Sequence, residues 1–146
     1  GREKAPAALC RKVIEAKDTG KYEIDIWGDG KQTRSFMYIA DCVYGIDRIM
    51  HSAELIATPI NLGTSELVSI NQLVDYIEEI GGIKLERTYV LDAPKGVAGR
   101  NSDNTMIKRI LNWEPNLPLQ EGLKHTYRWI EQQYAARKAG QRVVQD

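Results

Sequence analysis

The chain has 146 residues, with 20 Lys and Arg against 20 Asp and Glu and a hydrophobic content of 42%. Zero formal net charge excludes nucleic-acid binding through bulk positive charge, so any anion must be met by a few placed side chains. No stretch approaches the roughly 18 consecutive apolar residues of a membrane span, and the apolar content is too high for a disordered chain.

Helix and strand signals alternate along the chain, which predicts an α/β or α+β fold. Pro6 opens a helix running to about Lys17, with Leu9, Val13 and Ile14 on one face, and Asp18-Thr-Gly20 ends it. Tyr22, Ile24 and Ile26 alternate with charged residues as in a half-buried strand. Gly28-Asp-Gly30 predicts a turn, after which Thr33 to Tyr38 pairs back as a second strand. Cys42, Ile46, Ile49 and Met50 fall at helical spacing after Asp41. Pro59 to Gly63 reads as a short apolar strand. Ser69 and Gln72 form a capping box ahead of the stripe Ile70, Leu73, Val74, Ile77 and Ile80. Leu85 to Leu91 is a strand and Pro94 to Gly99 a glycine-containing loop. Met106 to Leu111 is a short helix. Leu123, Tyr127, Ile130 and Tyr134 line a long final one. The polar tail from Gly140 is expected to fray.

Two loops carry arginines suited to a diphosphate, because a guanidinium keeps its charge and donates two parallel hydrogen bonds. Arg34 follows Gly28-Asp-Gly30, and Arg100 lies in Gly96-Val-Ala-Gly-Arg-Asn-Ser-Asp103. Either could equally be a solvated surface charge, and spacing does not show that they converge on one pyrophosphate. Lys4 stands just ahead of Pro6, and Lys12 lies two turns along the same helix. A lysine that transfers protons needs its pKa brought down from about 10.4 by burial or neighbouring positive charge; a solvated lysine is the plainer reading of each.

Other chemistries are absent from the sequence. His51 and His125 lack ligand partners at metal spacing, so no metal site is expected. There is no strand–Gly-x-Gly-x-x-Gly–helix unit for a dinucleotide. Tyr134 and Lys138 have the Tyr-x-x-x-Lys spacing of short-chain dehydrogenases, but with no nucleotide-binding unit around them they read as a core tyrosine and a solvated lysine. Cys10 and Cys42 make no disulfide framework and fit a reduced, cytoplasmic setting. The chain opens without Met and without an apolar leader, which suggests a fragment.

In order, the chain carries Trp27-Gly-Asp-Gly-Lys-Gln-Thr-Arg-Ser-Phe36, Ile39-Ala-Asp41, Asn61-Leu-Gly63, Gly99-Arg-Asn-Ser-Asp-Asn104, Leu111-Asn-Trp-Glu-Pro115 and Glu121-Gly-Leu. This succession resembles the C-terminal, substrate-binding part of extended short-chain dehydrogenase/reductase enzymes of the NAD-dependent epimerase/dehydratase family. The opening octapeptide and the 99–104 loop narrow it to members that invert GDP-mannose at C3 and C5. The resemblance implies an α/β substrate-binding unit over 1–139 and a tail at 140–146. It implies NAD, held mainly by a dinucleotide-binding half preceding this chain, a nucleotide-sugar substrate, GDP-mannose first, and a homodimeric full-length protein. It implies conversion of GDP-mannose to GDP-galactose by C4 oxidation, epimerisation and re-reduction, with this chain inactive alone. Lys4 matches the family's acid/base lysine. Glu3 and Ala5 would line the sugar, Lys12 the diphosphate end, Gln32, Thr33 and Arg34 the nucleotide side, and Arg100 the pyrophosphate. Ala98 stands where the family has an arginine. The resemblance also implies that elements such as 59–63 pair outside this chain, leaving apolar surface exposed. A different nucleotide-sugar 4-epimerase or dehydratase, or a non-catalytic binding fragment, is the alternative.

Overall fold

The computed structural model describes residues 3–93 and 97–140. In chain order it holds helix α1 (Ala5–Thr19), strands β1 (Glu23–Trp27) and β2 (Thr33–Arg34), helix α2 (Ile39–Met50), a 3-10 turn (Ala53–Leu55), strand β3 (Val68–Ser69), helix α3 (Ile70–Gly81), strand β4 (Glu86–Val90), and helices α4 (Thr105–Leu111) and α5 (Leu119–Lys138). The architecture is α/β. β1 and β4 pair in parallel, from Glu23 opposite Glu86 to Trp27 opposite Val90. Parallel neighbours need a long crossover, and here it contains α2, β3 and α3. β2 and β3 form a separate antiparallel pair.

The main core lies where α1, α3 and α5 meet β1. Pro6 sits in the first turn of α1, where its missing N–H costs nothing, and Gly20 ends the helix in the left-handed region at φ 71°. The capping box forms as predicted: Gln72 N donates to Ser69 Oγ, and Ser69 N to Gln72 Oε1. Leu73, Val74 and Ile77 of α3, with Val13 and Cys10 of α1, are fully buried. Ile24 and Ile26 of β1 and Leu119, Leu123 and Tyr127 of α5 complete the cluster. Each fully buried aliphatic side chain stabilises the fold by roughly 1.5–3 kcal/mol. One charge is taken inside. Glu78 is 2% exposed and accepts from Leu85 N at 3.1 Å and Arg87 Nη2 at 2.8 Å, with the Lys84 ammonium as a third partner. A buried carboxylate survives only when matched in this way, and the match ties α3 to β4.

A second, smaller cluster joins Leu55, Ile107 and Leu111 to Ile49, Ile60, Leu62 and Trp113. Among α2's residues only Gly45 is buried. A Cβ there would lie 2.5 Å from Leu62 Cδ1. On the other side of α2, Ile39, Val43, Ile46 and Met50 form a stripe spaced 4, 3 and 4 residues apart and remain 47–76% exposed.

Three expectations are corrected. Thr33 to Tyr38 does not pair back on β1; only Thr33–Arg34 is strand, and it pairs with β3. One edge of β1 is taken by β4, and at the other Lys12 Nζ donates to the Asp25 carbonyl at 3.1 Å. The loop after β1 is drawn instead to the start of α3: Asn71 N donates to Gly30 O at 3.0 Å and Ile70 N to Gln32 O at 3.2 Å. Gly30 is required there, since its φ is 70° and a Cβ would fall 2.1 Å from Asn71 Oδ1. Residues 59–63 are not a strand; they have no neighbouring strand among the described residues, and Ile60 and Leu62 pack into the second cluster. The helix predicted after Asp41 begins earlier, at Ile39. The expected tail beyond Gly140, the opening Gly1-Arg2 and the 94–96 part of the glycine loop lie outside the described residues.

Candidate functional site

One cavity of about 700 Å³ opens between α1, the free edge of β1 and β2. Six of the eight candidate residues line it: Glu3, Lys4, Ala5, Lys12, Gln32 and Arg34. Lys4 is the N-cap of α1, so the helix start fixes its Cα while its side chain stays exposed. Lys12 comes two turns later on the same helix and is held by the Asp25 carbonyl. Arg34 arrives from β2, its Nη1 donating to the Thr33 carbonyl at 2.6 Å. Lys4, Lys12 and Arg34 share one concavity with Arg11 and with the carboxylates of Glu3 and Asp25; four basic side chains against two acidic ones leave an excess of positive charge suited to a diphosphate.

Of the two acidic lining residues, Glu3 and Asp25, Glu3 is held by Arg11, which spans Glu3 at 3.0 Å and Glu15 at 2.8 Å. A backbone hydrogen bond first, and the Arg11 charge against a burial penalty, keep the Glu3 carboxyl below the usual carboxylate range. Gln32 Nε2 donates to the Trp27 carbonyl at 2.8 Å.

Thr33 and Arg100 lie outside this lining. Thr33 joins two loops instead: its N–H donates to the Ala98 carbonyl at 2.9 Å, and Gly99 packs so closely on it that a Cβ would lie 2.4 Å from Thr33 Oγ1. The loop carrying Arg100 is thus fastened beside Arg34, although Arg100 itself is exposed. Sequence reasoning passed over Trp27, Phe36 and Arg11, which also line the cavity. Trp27 did carry a signal, a large aromatic at a strand end directly before Gly-Asp-Gly.

Tyr134 packs against the main core, and its hydroxyl donates to Asp18 at 3.1 Å. Lys138 pairs with the same carboxylate at 2.6 Å. The pair is spent on joining α1 to α5. Among the described residues, no group of three or more His, Cys, Asp or Glu is placed to hold a metal ion, and no helix is long and apolar enough to cross a membrane.

The α/β arrangement, with its short parallel sheet, is that of the C-terminal part of extended short-chain dehydrogenase/reductase epimerases. A UDP-glucuronic acid 4-epimerase from Bacillus cereus, solved in complex with NAD, superposes with a TM-score of 0.77 at 27% identity, over 95% of this chain and 41% of that one. A UDP-glucose 4-epimerase from Thermotoga maritima, solved with UDP-glucose, gives 0.75 at 28% identity, over 90% of this chain and 40% of that one. Residues 2–126 match the family model of GDP-mannose 4,6 dehydratase, and the chain belongs to that family. It is 45% identical to GDP-mannose 3,5-epimerase of Arabidopsis thaliana over 95% of this chain and 35% of the enzyme. It is 30% identical to a probable GDP-L-fucose synthase of Oryza sativa, over 90% of this chain and 40% of that protein. The chain thus spans about a third to two-fifths of the length of the relatives it matches.

Proposed function

We propose that this chain is the substrate-binding part of an NAD-dependent nucleotide-sugar epimerase that converts GDP-mannose to GDP-galactose. The carrying observation is the gathering of Glu3, Lys4, Ala5, Lys12, Gln32 and Arg34 around one cavity. The 45% identity to a GDP-mannose 3,5-epimerase supports the choice of sugar and of reaction. The sequence offers no glycine-rich strand–helix turn to hold a dinucleotide, so NAD is assigned to a half of the protein outside these 146 residues. When bound there, the cofactor supplies reversible oxidation at C4, which acidifies the protons on C3 and C5.

The residues of this chain bind, orient and return a proton. Lys12 and Arg34 engage the diphosphate, with Arg100 on the fastened neighbouring loop. Glu3 and Ala5 border the sugar. Lys4, at the helix start on the cavity wall, is the general acid that gives a proton to C3 or C5 from one face. The family resemblance implies that its partner base is a cysteine outside this chain. Neither Cys10, buried in the main core, nor Cys42 takes that part.

The test is kinetic and calorimetric, on the full-length protein. Wild type binds GDP-mannose more tightly than UDP-glucose, and GDP-galactose accumulates. Lys4→Ala lowers kcat by about 100-fold or more with little change in KM, the loss of a general acid. Arg100→Ala raises KM and leaves kcat within a few-fold. Equal losses in both parameters for both variants would remove these roles. Absence of any nucleotide-sugar binding would remove the reading as a whole.

A further inference from the structure

On the nucleotide-sugar reading above, on which this inference rests, Lys4 must hold its ammonium at a ring carbon. A lysine stem is long and flexible, and proton transfer tolerates little displacement: a shift of about 1 Å can cost roughly 100-fold in rate. The helix start gives Lys4 little help. As N-cap of α1 it makes no side-chain capping bond, and it is exposed. Its carbonyl accepts from Ala8 N at 3.0 Å, which fixes the backbone from the helix side only. On the other side stands Glu3, and Glu3 is held by Arg11.

Arg11 has the geometry of a clamp. Its Nε donates to Glu3 Oε1 at 3.0 Å, and its Nη1 donates to both Glu15 oxygens at 2.8 Å. Glu15 lies one turn further along α1, so the guanidinium is anchored to the helix and grips the residue that precedes it. The rigid fork of an arginine serves two carboxylates at once, which the point charge of a lysine does poorly. Arg11 and Glu3 border two concavities: the cavity above, and a second between α1 and α5 that Glu15 and Trp129 line. Of these two, Lys4 lines only the first. Its backbone is extended, at φ −73° and ψ 161°, a geometry in which successive side chains diverge. Drawing Glu3 toward Glu15 therefore turns Lys4 toward β1 and β2. It also occupies the carboxylate next to Lys4 in the chain; released from Arg11, that carboxylate becomes a partner for the Lys4 ammonium and draws it from the ring. We propose that Arg11 is the positioning residue for Lys4, acting through Glu3.

The test is steady-state turnover of GDP-mannose by the full-length protein. Arg11→Met keeps the apolar stem and removes the fork. It is expected to lower kcat by about tenfold with KM within twofold of wild type, and Arg11→Lys to restore part of the loss. Glu15→Gln loosens the same clamp from outside the Lys4 cavity, and is expected to lower kcat by about threefold; it carries the test alone if Arg11→Met does not fold. The decisive variant is the double one. Lys4→Ala with Arg11→Met should turn over no more slowly than Lys4→Ala alone, because nothing is left to position. Three results overturn the proposal and leave the epimerase reading intact: an unchanged kcat in both Arg11→Met and Glu15→Gln, a raised KM with kcat unchanged, or a double variant slowed by the full Arg11→Met factor. A Lys4→Ala variant with wild-type kcat overturns both this proposal and the role given to Lys4.

Discussion

Helices α2 and α3 each have 12 residues and a continuous apolar stripe, and they use it in opposite ways. α3 turns Leu73, Val74 and Ile77 into a core shared with α1 and α5. α2 points Ile39, Val43, Ile46 and Met50 outward and rests on its neighbours through Gly45. An amphipathic pattern announces that a helix has a partner; it does not say whether the partner is in the same chain. The α1–α3–α5 region closes on itself, and the α2–α4 region has apolar surface to spare.

The sharpest break of this comparison would come from matched truncations. Leu73→Ala, at a fully buried position, should cost about 3–5 kcal/mol in urea unfolding. Ile46→Ala, at a residue 47% exposed, should change stability by about 0.5 kcal/mol or less. Similar losses at the two sites would mean that the α2 stripe is covered within this chain after all. Ion pairs give a second contrast. Glu78→Ala leaves the Leu85 amide without its acceptor and takes one of the two carboxylates from Arg87, Asp75 remaining as the other, and should cost about 2 kcal/mol. Lys108→Ala removes the surface pair with Glu114 at 2.7 Å and should cost under about 1 kcal/mol. The smallest effect is chemical. Burial pushes the Cys10 thiol up to about 12, so at pH 8 the thiolate is on the order of one molecule in 10,000. Alkylation read by mass spectrometry should therefore modify the half-buried Cys42 of α2 well before Cys10, and both cysteines only after urea is added.

The legible parts of the fold were those set by local chemistry. Ser69 and Gln72 announce a helix start because both halves of the box lie three residues apart. Ile24 and Ile26 announce a strand because alternate residues face one core. The β2–β3 pairing was not legible, since it depends on residues about 35 positions apart and on Lys12 occupying the β1 edge where a hairpin partner would go. Residues 59–63 have the composition of a strand but no strand beside them among the described residues. The site followed the same division. Arg34 and Lys12 are ordinary surface charges by spacing alone, and only the meeting of α1 with β1 and β2 puts them around one cavity. Arg34 was nominated by its loop chemistry and Lys12 by the resemblance, which missed Trp27 as a wall because the motif marked it only as a signature.

The loop between β1 and β2 is stitched to the head of α3 through the carbonyls of Asp29, Gly30 and Gln32. Each stitch counts residues: an insertion anywhere from Gly28 to Gln32 would misalign the carbonyls that follow it and pull the start of α3 from its cap. Lineages that diversify this site are therefore confined to exchanging side chains on a loop of constant length. Length variation should accumulate instead in stretches such as 56–59, where the backbone bond, Thr58 N to Leu55 O, is local.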